Sequence, residues 1–191
     1  MFTYFFYRLF IVKEGPLTVP LTHIDSNPFN SNEFCVSGVT YYVRVYDRRN
    51  VVRPVLQLFP HNMDEYNEYS CCLYNYNGTE ILATYKKNIY LFDILKSSNT
   101  REVHKYKNYF NNVCVYRLIA EEGVKFFGPK SEYVVSGSES GNIFIWEKNM
   151  GTLVNYIKSN GIHVNCLEGH PHLPVLATQH SHRHIGIWQP F

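Results

Sequence analysis

Six of the nine histidines fall in the last 29 residues: His163, His170, His172, His180, His182 and His184. Converging imidazoles bind divalent metals, so this cluster is the chain's best material for metal chemistry. Arg183 sits inside the densest part, residues 180–184, and puts a fixed positive charge where a cation would lie. No Cys-x-x-Cys or carboxylate partner stands nearby. The group reads as a solvated turn, with His170 also suited to hydrogen bonding between strands. Ser136-Gly137 with Glu139 has the residue types of a nucleophile set but the spacing of a turn. There is no Gly-x-Ser-x-Gly, no Gly-rich phosphate loop followed by Lys, and no His-Glu-x-x-His. The expectation is no catalytic residue, no metal, no cofactor and no enzymatic activity. A metal-dependent enzyme using the late histidines is retained only as a third reading.

The five cysteines are Cys35, Cys71, Cys72, Cys114 and Cys166. Cys35, Cys72 and Cys166 lie in apolar strand-like runs, and an odd count without a spaced framework predicts reduced, buried thiols in the cytoplasm or nucleus. A net charge of +2 with 18% charged residues gives no electrostatic reason to expect nucleic acid or an acidic membrane surface as partner. The apolar N-terminus has no basic residue ahead of it, is interrupted by Arg8, and is far shorter than the ~20 residues that cross a bilayer. Residues 4–12 read as a strand. Asn77-Gly78-Thr79 matches a glycosylation sequon but reads as a tight turn.

The abundant Tyr (16) and Phe (13) suit strands, and few windows keep a helical period, so the fold class is all-β. Residues 133–147 show the repeating unit. Tyr133 to Val135 is an apolar run that ends in Ser136-Gly137, residues 138–142 are small and polar, and Ile143, Ile145 and Trp146 form a second strand closed by Glu147. The same hairpin recurs at 34–47, 81–93 and 175–189. Its landmark aromatics, Tyr46, Phe92, Trp146 and Trp188, lie 46, 54 and 42 residues apart. WD repeats run to roughly 40–45 residues, so the middle interval carries an insertion.

These hairpins predict a partial WD-repeat β-propeller of four repeats in a single domain, residues 1–191. Inner strands are expected at 17–24, 69–74, 124–127 and 163–167, and outer strands at 55–59, 103–106 and 153–157. Three complete blades are then flanked by an N-terminal strand and a three-stranded C-terminal sheet. Residues 108–123 read as an insertion between the second and third units.

Two passages resemble one family more specifically. Phe127-Gly-Pro-Lys-Ser-Glu-Tyr-Val-Val-Ser-Gly-Ser138 with 143–148, and Val164-Asn-Cys-Leu-Glu168 with 170–178, are similar to the cullin-4-associated factor 8 group of substrate receptors. Residues 34–36, 42–48 and 78–83 resemble the same family in the same order. The resemblance implies an N-terminally truncated, diverged propeller that brings an unknown protein substrate to a cullin-4 RING ubiquitin ligase. It implies docking on the ligase adaptor, the damaged-DNA-binding-protein subunit, through a Trp/Tyr-Asp-x-Arg ending. Tyr46, Asp47 and Arg49 have that form, with Arg48 between. The bland alternative is that these arginines are solvated loop charges.

Family blades also carry an Asp six residues before the landmark aromatic. Here Thr40, Lys86, Ser140 and His182 stand at those offsets, with Glu139 one place early, and the second hairpin is shortened. Losing a buried network partner costs about 1–3 kcal/mol. A second reading is therefore a degenerate propeller fragment without a function of its own, prone to self-association through open sheet edges.

Overall fold

The computed structural model describes residues 9–61, 69–85, 88–95, 102–106, 109–110, 113–114, 123–138, 140–158, 163–180 and 184–190. Among them there is no helix. Two short strands, β1 (Lys13–Glu14) and β2 (Leu17–Thr18), pair with each other. The first four-stranded sheet follows: β3 (Leu21–Ser26), β4 (Glu33–Gly38), β5 (Val43–Asp47) and β6 (Leu56–Leu58). The second contains β7 (Tyr69–Tyr74), β8 (Glu80–Tyr85), β9 (Asn88–Asp93) and β10 (Glu102–Tyr106). β11 (Tyr109–Phe110) and β12 (Val113–Cys114) form a small ribbon within the expected insertion, most of which lies outside the described residues. The third sheet is β13 (Val124–Phe127), β14 (Tyr133–Gly137), β15 (Asn142–Glu147) and β16 (Leu153–Lys158). The last has three strands: β17 (Val164–Gly169), β18 (Leu176–His180) and β19 (His184–Trp188).

Every sheet is an antiparallel meander in sequence order, as propeller blades require. The apolar core is layered between them. Cys35, Val43 and Val45 of the first sheet meet Tyr69, Cys72, Ile81 and Phe92 of the second. Leu82, Ile89 and Leu91 on the opposite face of the second meet Val134, Phe144 and Trp146 of the third. Val135 and Ile143 of the third then meet Val164, Leu167 and Leu176 of the fourth. Period-two alternation gives each central strand two apolar faces, one for each neighbour. Full burial of one such side chain stabilises by about 1.5–3 kcal/mol.

The first sheet departs from expectation at its start. The inner strand is Leu21–Ser26 rather than 17–24, because Leu17 and Thr18 instead turn back on Lys13 and Glu14 around Gly15. Residues 9–12 are not in a strand, and the rest of the expected strand 4–12 lies outside the described residues. Val12 and Val19 nevertheless pack on Val36 and Tyr46, with Phe10 against them, so residues 10–19 cover the outward face of the first sheet. In the third sheet Ser136 and Gly137 remain paired, opposite Phe144 and Ile143. The turn begins only at Ser138.

Candidate functional site

The fourth landmark hairpin closes with Gln189 after Trp188, while the other three finish alike. An acid closes the second hairpin strand, and its carboxylate accepts backbone N–H groups from the turn that follows. Asp47 accepts from Arg49 N at 2.9 Å, Asp93 from Leu95 N at 3.0 Å, and Glu147 from Asn149 N and Met150 N at 3.1 and 2.5 Å. Asp and Glu favour such turns because a short carboxylate reaches the amide two residues on. The acid of the Tyr-Asp-x-Arg sequence is thus first a turn residue.

In the first sheet an arginine joins it. Arg49 Nε donates to both Asp47 oxygens at 3.0 and 3.2 Å, and Nη2 donates to Oδ2 at 2.6 Å. The pair stands at the surface, with the Arg49 side chain 69% exposed. The Arg49 guanidinium holds the Asp47 carboxyl down at about 2. Arg48 turns away: its Nε donates to Asn32 Oδ1 at 3.1 Å, and its backbone N to Asn32 O at 2.8 Å. Tyr46 is 4% exposed, its ring 4.8 Å from Phe10 and 5.7 Å from Phe34. The structure therefore gathers Asp47 and Arg49 into one surface group and puts Tyr46 beneath it as packing.

The missing hairpin acids have local substitutes. In the third sheet Ser138 Oγ accepts from Asn142 N and donates to Asn142 O, both at 3.0 Å, and Asn142 Nδ2 donates to Ser140 Oγ at 2.7 Å. In the first, Thr40 Oγ1 accepts from Arg44 Nη1 at 2.7 Å, and Glu14 of the covering segment bonds both residues. Arg44 is buried, so this carboxylate offsets the cost of a charge out of water. Lys86, Glu139 and His182 lie outside the described residues.

The late histidines divide. His163, His172 and His184 are exposed. His170 is exposed as well rather than buried between strands; its Nδ1 accepts from His172 N and Leu173 N at 3.1 and 3.0 Å, which makes it a turn residue. His180 is 4% exposed rather than solvated. Its Nε2 lies 2.8 Å from Thr178 Oγ1, which accepts from Trp188 Nε1 at 2.8 Å. The period-two spacing of 178 and 180 on one strand face was the available signal for this network. Gly186 makes room for it, since a Cβ there would stand 2.9 Å from both His180 Nε2 and Thr178 Oγ1. Among the described residues no three His, Cys, Asp or Glu side chains gather as a metal site. Ser136 is fully buried and donates to Gly137 O, so it is no exposed nucleophile. Cys35, Cys71 and Cys72 are buried thiols, and Cys166 is a half-buried one.

No family model matches the chain. Human WD and tetratricopeptide repeats protein 1 is 42% identical over 65 residues, which are 34% of this chain and 10% of that protein. Human DDB1- and CUL4-associated factor 6 is 37% identical over 60 residues, 31% of this chain and 7% of that protein. Among solved structures, the β-propeller domain of Myceliophteria thermophila Cps50 (Swd1) matches with a TM-score of 0.71. That match covers 92% of this chain and 60% of that one, at 17% identity. The fold is a WD-repeat β-propeller. Its sheets are therefore blades, and the Asp47–Arg49 pair stands at the open end of the first blade's β4–β5 hairpin, away from its turn. The matches span 10% and 7% of the two curated relatives' lengths.

Proposed function

We propose that this propeller is a non-enzymatic protein-interaction scaffold that serves as a substrate receptor of a cullin-4 RING ubiquitin ligase, working in the cytoplasm or nucleus. The observation that carries the docking step is the exposed Arg49, held upright by Asp47. Nε and Nη2 are engaged by the carboxylate, which fixes the plane of the guanidinium and leaves the Nη1 edge to an acidic partner. Preorganising a flexible arginine this way lowers the entropy lost on docking. A relative whose name associates it with DDB1 and CUL4 supports the choice of partner. The test is capture of purified ligase adaptor by the immobilised chain. Arg49→Ala is expected to weaken capture several-fold, and undiminished capture with Asp47 and Arg49 both replaced would remove the docking claim.

A second reading, self-association, is favoured by one observation. Ile185 and Ile187 on the last strand are 76% and 63% exposed, a sheet face of the kind that neighbouring blades cover elsewhere in the molecule. Light scattering on the purified chain tests it, and a concentration-independent monomer mass would end it.

A further inference from the structure

Val43 and Val45 of β5 meet the second blade, so Tyr42, Arg44 and Tyr46 alternate onto the opposite face of the first. Gln57 on β6 lies across from Arg44 and shares that face. The covering residues close it only in part. Their strands β1 and β2 pair with each other and not with the sheet. A cleft of about 630 Å³ opens between them and β5, within the roughly 300–1,000 Å³ of ligand-holding clefts. Val12 and Tyr46 are buried at its floor, while Ile11 and Val52, 46% and 86% exposed, put apolar groups on its rim.

The polar groups of the cleft divide into satisfied and unsatisfied. Arg44 and Thr40 both donate to Glu14 Oε1, so the one acid of the lining is already neutralised from within. The Arg44 guanidinium also stands 5.4 Å from the Tyr42 ring centroid, which holds the buried cation in place. Lys13 Nζ and the Gln57 side-chain amide, by contrast, have no hydrogen-bond or ion-pair partner among the described residues. Arg53, exposed between the lining residues Val52 and Pro54, has none there either. The cleft and its edge thus carry two uncompensated cations and no uncompensated acid, which favours a negatively charged occupant. An amide side chain both donates and accepts, so Gln57 matches a peptide group. We propose that the cleft binds an extended acidic peptide of the recruited protein. Its carboxylates lie on Lys13 and Arg53, one of its peptide groups on Gln57, and a bulky apolar side chain against Ile11 and Val52. The source of the peptide rests on the substrate-receptor reading; the binding itself needs no adaptor.

The test is fluorescence anisotropy with the whole chain alone and labelled peptides of equal length, alternating Asp with Phe, Lys with Phe, or Asp with Ser. The Asp–Phe peptide is expected to bind saturably and several-fold more tightly than either of the others. Gln57→Ala is expected to weaken it several-fold, and Lys13→Glu to shift the preference toward the Lys–Phe peptide. Both variants should melt like the unaltered chain, since neither side chain has a partner to lose. Equal binding of the Lys–Phe peptide, or binding that neither substitution alters, would overturn the proposal. Tighter binding of a single-stranded oligonucleotide, the other polyanion such a cleft admits, would do the same. So would no saturable binding, the result if a second copy or another part of this chain fills the cleft. Because the adaptor is absent, lost peptide binding with intact adaptor capture strikes this proposal alone, and peptide binding without capture strikes only the docking reading.

Discussion

The second and fourth blades are built from the same hairpin and differ in what surrounds them. In the second, Ile81, Leu82, Ala83, Ile89, Tyr90, Leu91 and Phe92 are all nearly or fully buried, because blades press on both faces. In the fourth, Leu167, Leu176 and Thr178 are buried against the third blade, while Ile185 and Ile187 on the other face lie open. Strand sequence alone does not set burial here. A blade's apolar side chains stabilise the chain only where a neighbouring face excludes water from them.

The largest test of that contrast is a truncation on each side. Leu82→Ala in the second blade is expected to lower unfolding free energy by about 2–5 kcal/mol, whereas Ile187→Ala stays within about 0.5 kcal/mol; urea denaturation measures both. Equal losses would break the comparison. Next comes the buried face of the fourth blade. Gly186→Ala forces a methyl against His180 and Thr178 and is expected to cost about 1–3 kcal/mol, since packed sites resist added carbon. Thr178→Val keeps the shape but leaves Trp188 Nε1 without its acceptor, at a cost of about 1–3 kcal/mol in the same assay. The smallest effect is at the exposed Asp47–Arg49 pair. A carboxyl depressed to about 2, against about 3.9 when free, contributes stability that is present above the free value and lost as pH falls through about 2. NMR titration should find Asp47 ionising near pH 2, and Arg49→Ala should move it upward with only a small loss of stability at pH 7, because the exposed pair is screened by solvent.

Most of the blade plan was legible because it rests on local periodicity. The inner strand at 69–74 and the one at 124–127 fall where alternation and flanking turns put them. The first inner strand was misplaced because Leu17 is as apolar as Leu21 and Thr18 is β-prone, and nothing local reveals that they pair backward around Gly15. His180 was grouped with exposed neighbours because sequence proximity says nothing about strand face. Of the docking set, Tyr46, Asp47 and Arg49 were grouped by resemblance alone, and the pairing of Asp47 with Arg49 was not foreseen. The burial of Tyr46 depends on Phe10, 36 residues earlier, and Arg44 depends on Glu14. Such long-range partners leave no periodic trace.

That Glu14 carboxylate has a consequence for how the molecule comes apart. The first blade's hairpin relies on an acid lent by a segment outside its own sheet, so the covering residues and the blade should release together. Amide hydrogen exchange at Val36 and Tyr46 would then report one opening event shared with Val19, and replacing Glu14 by Gln would quicken exchange at all three while leaving Leu82 and Leu91 slow.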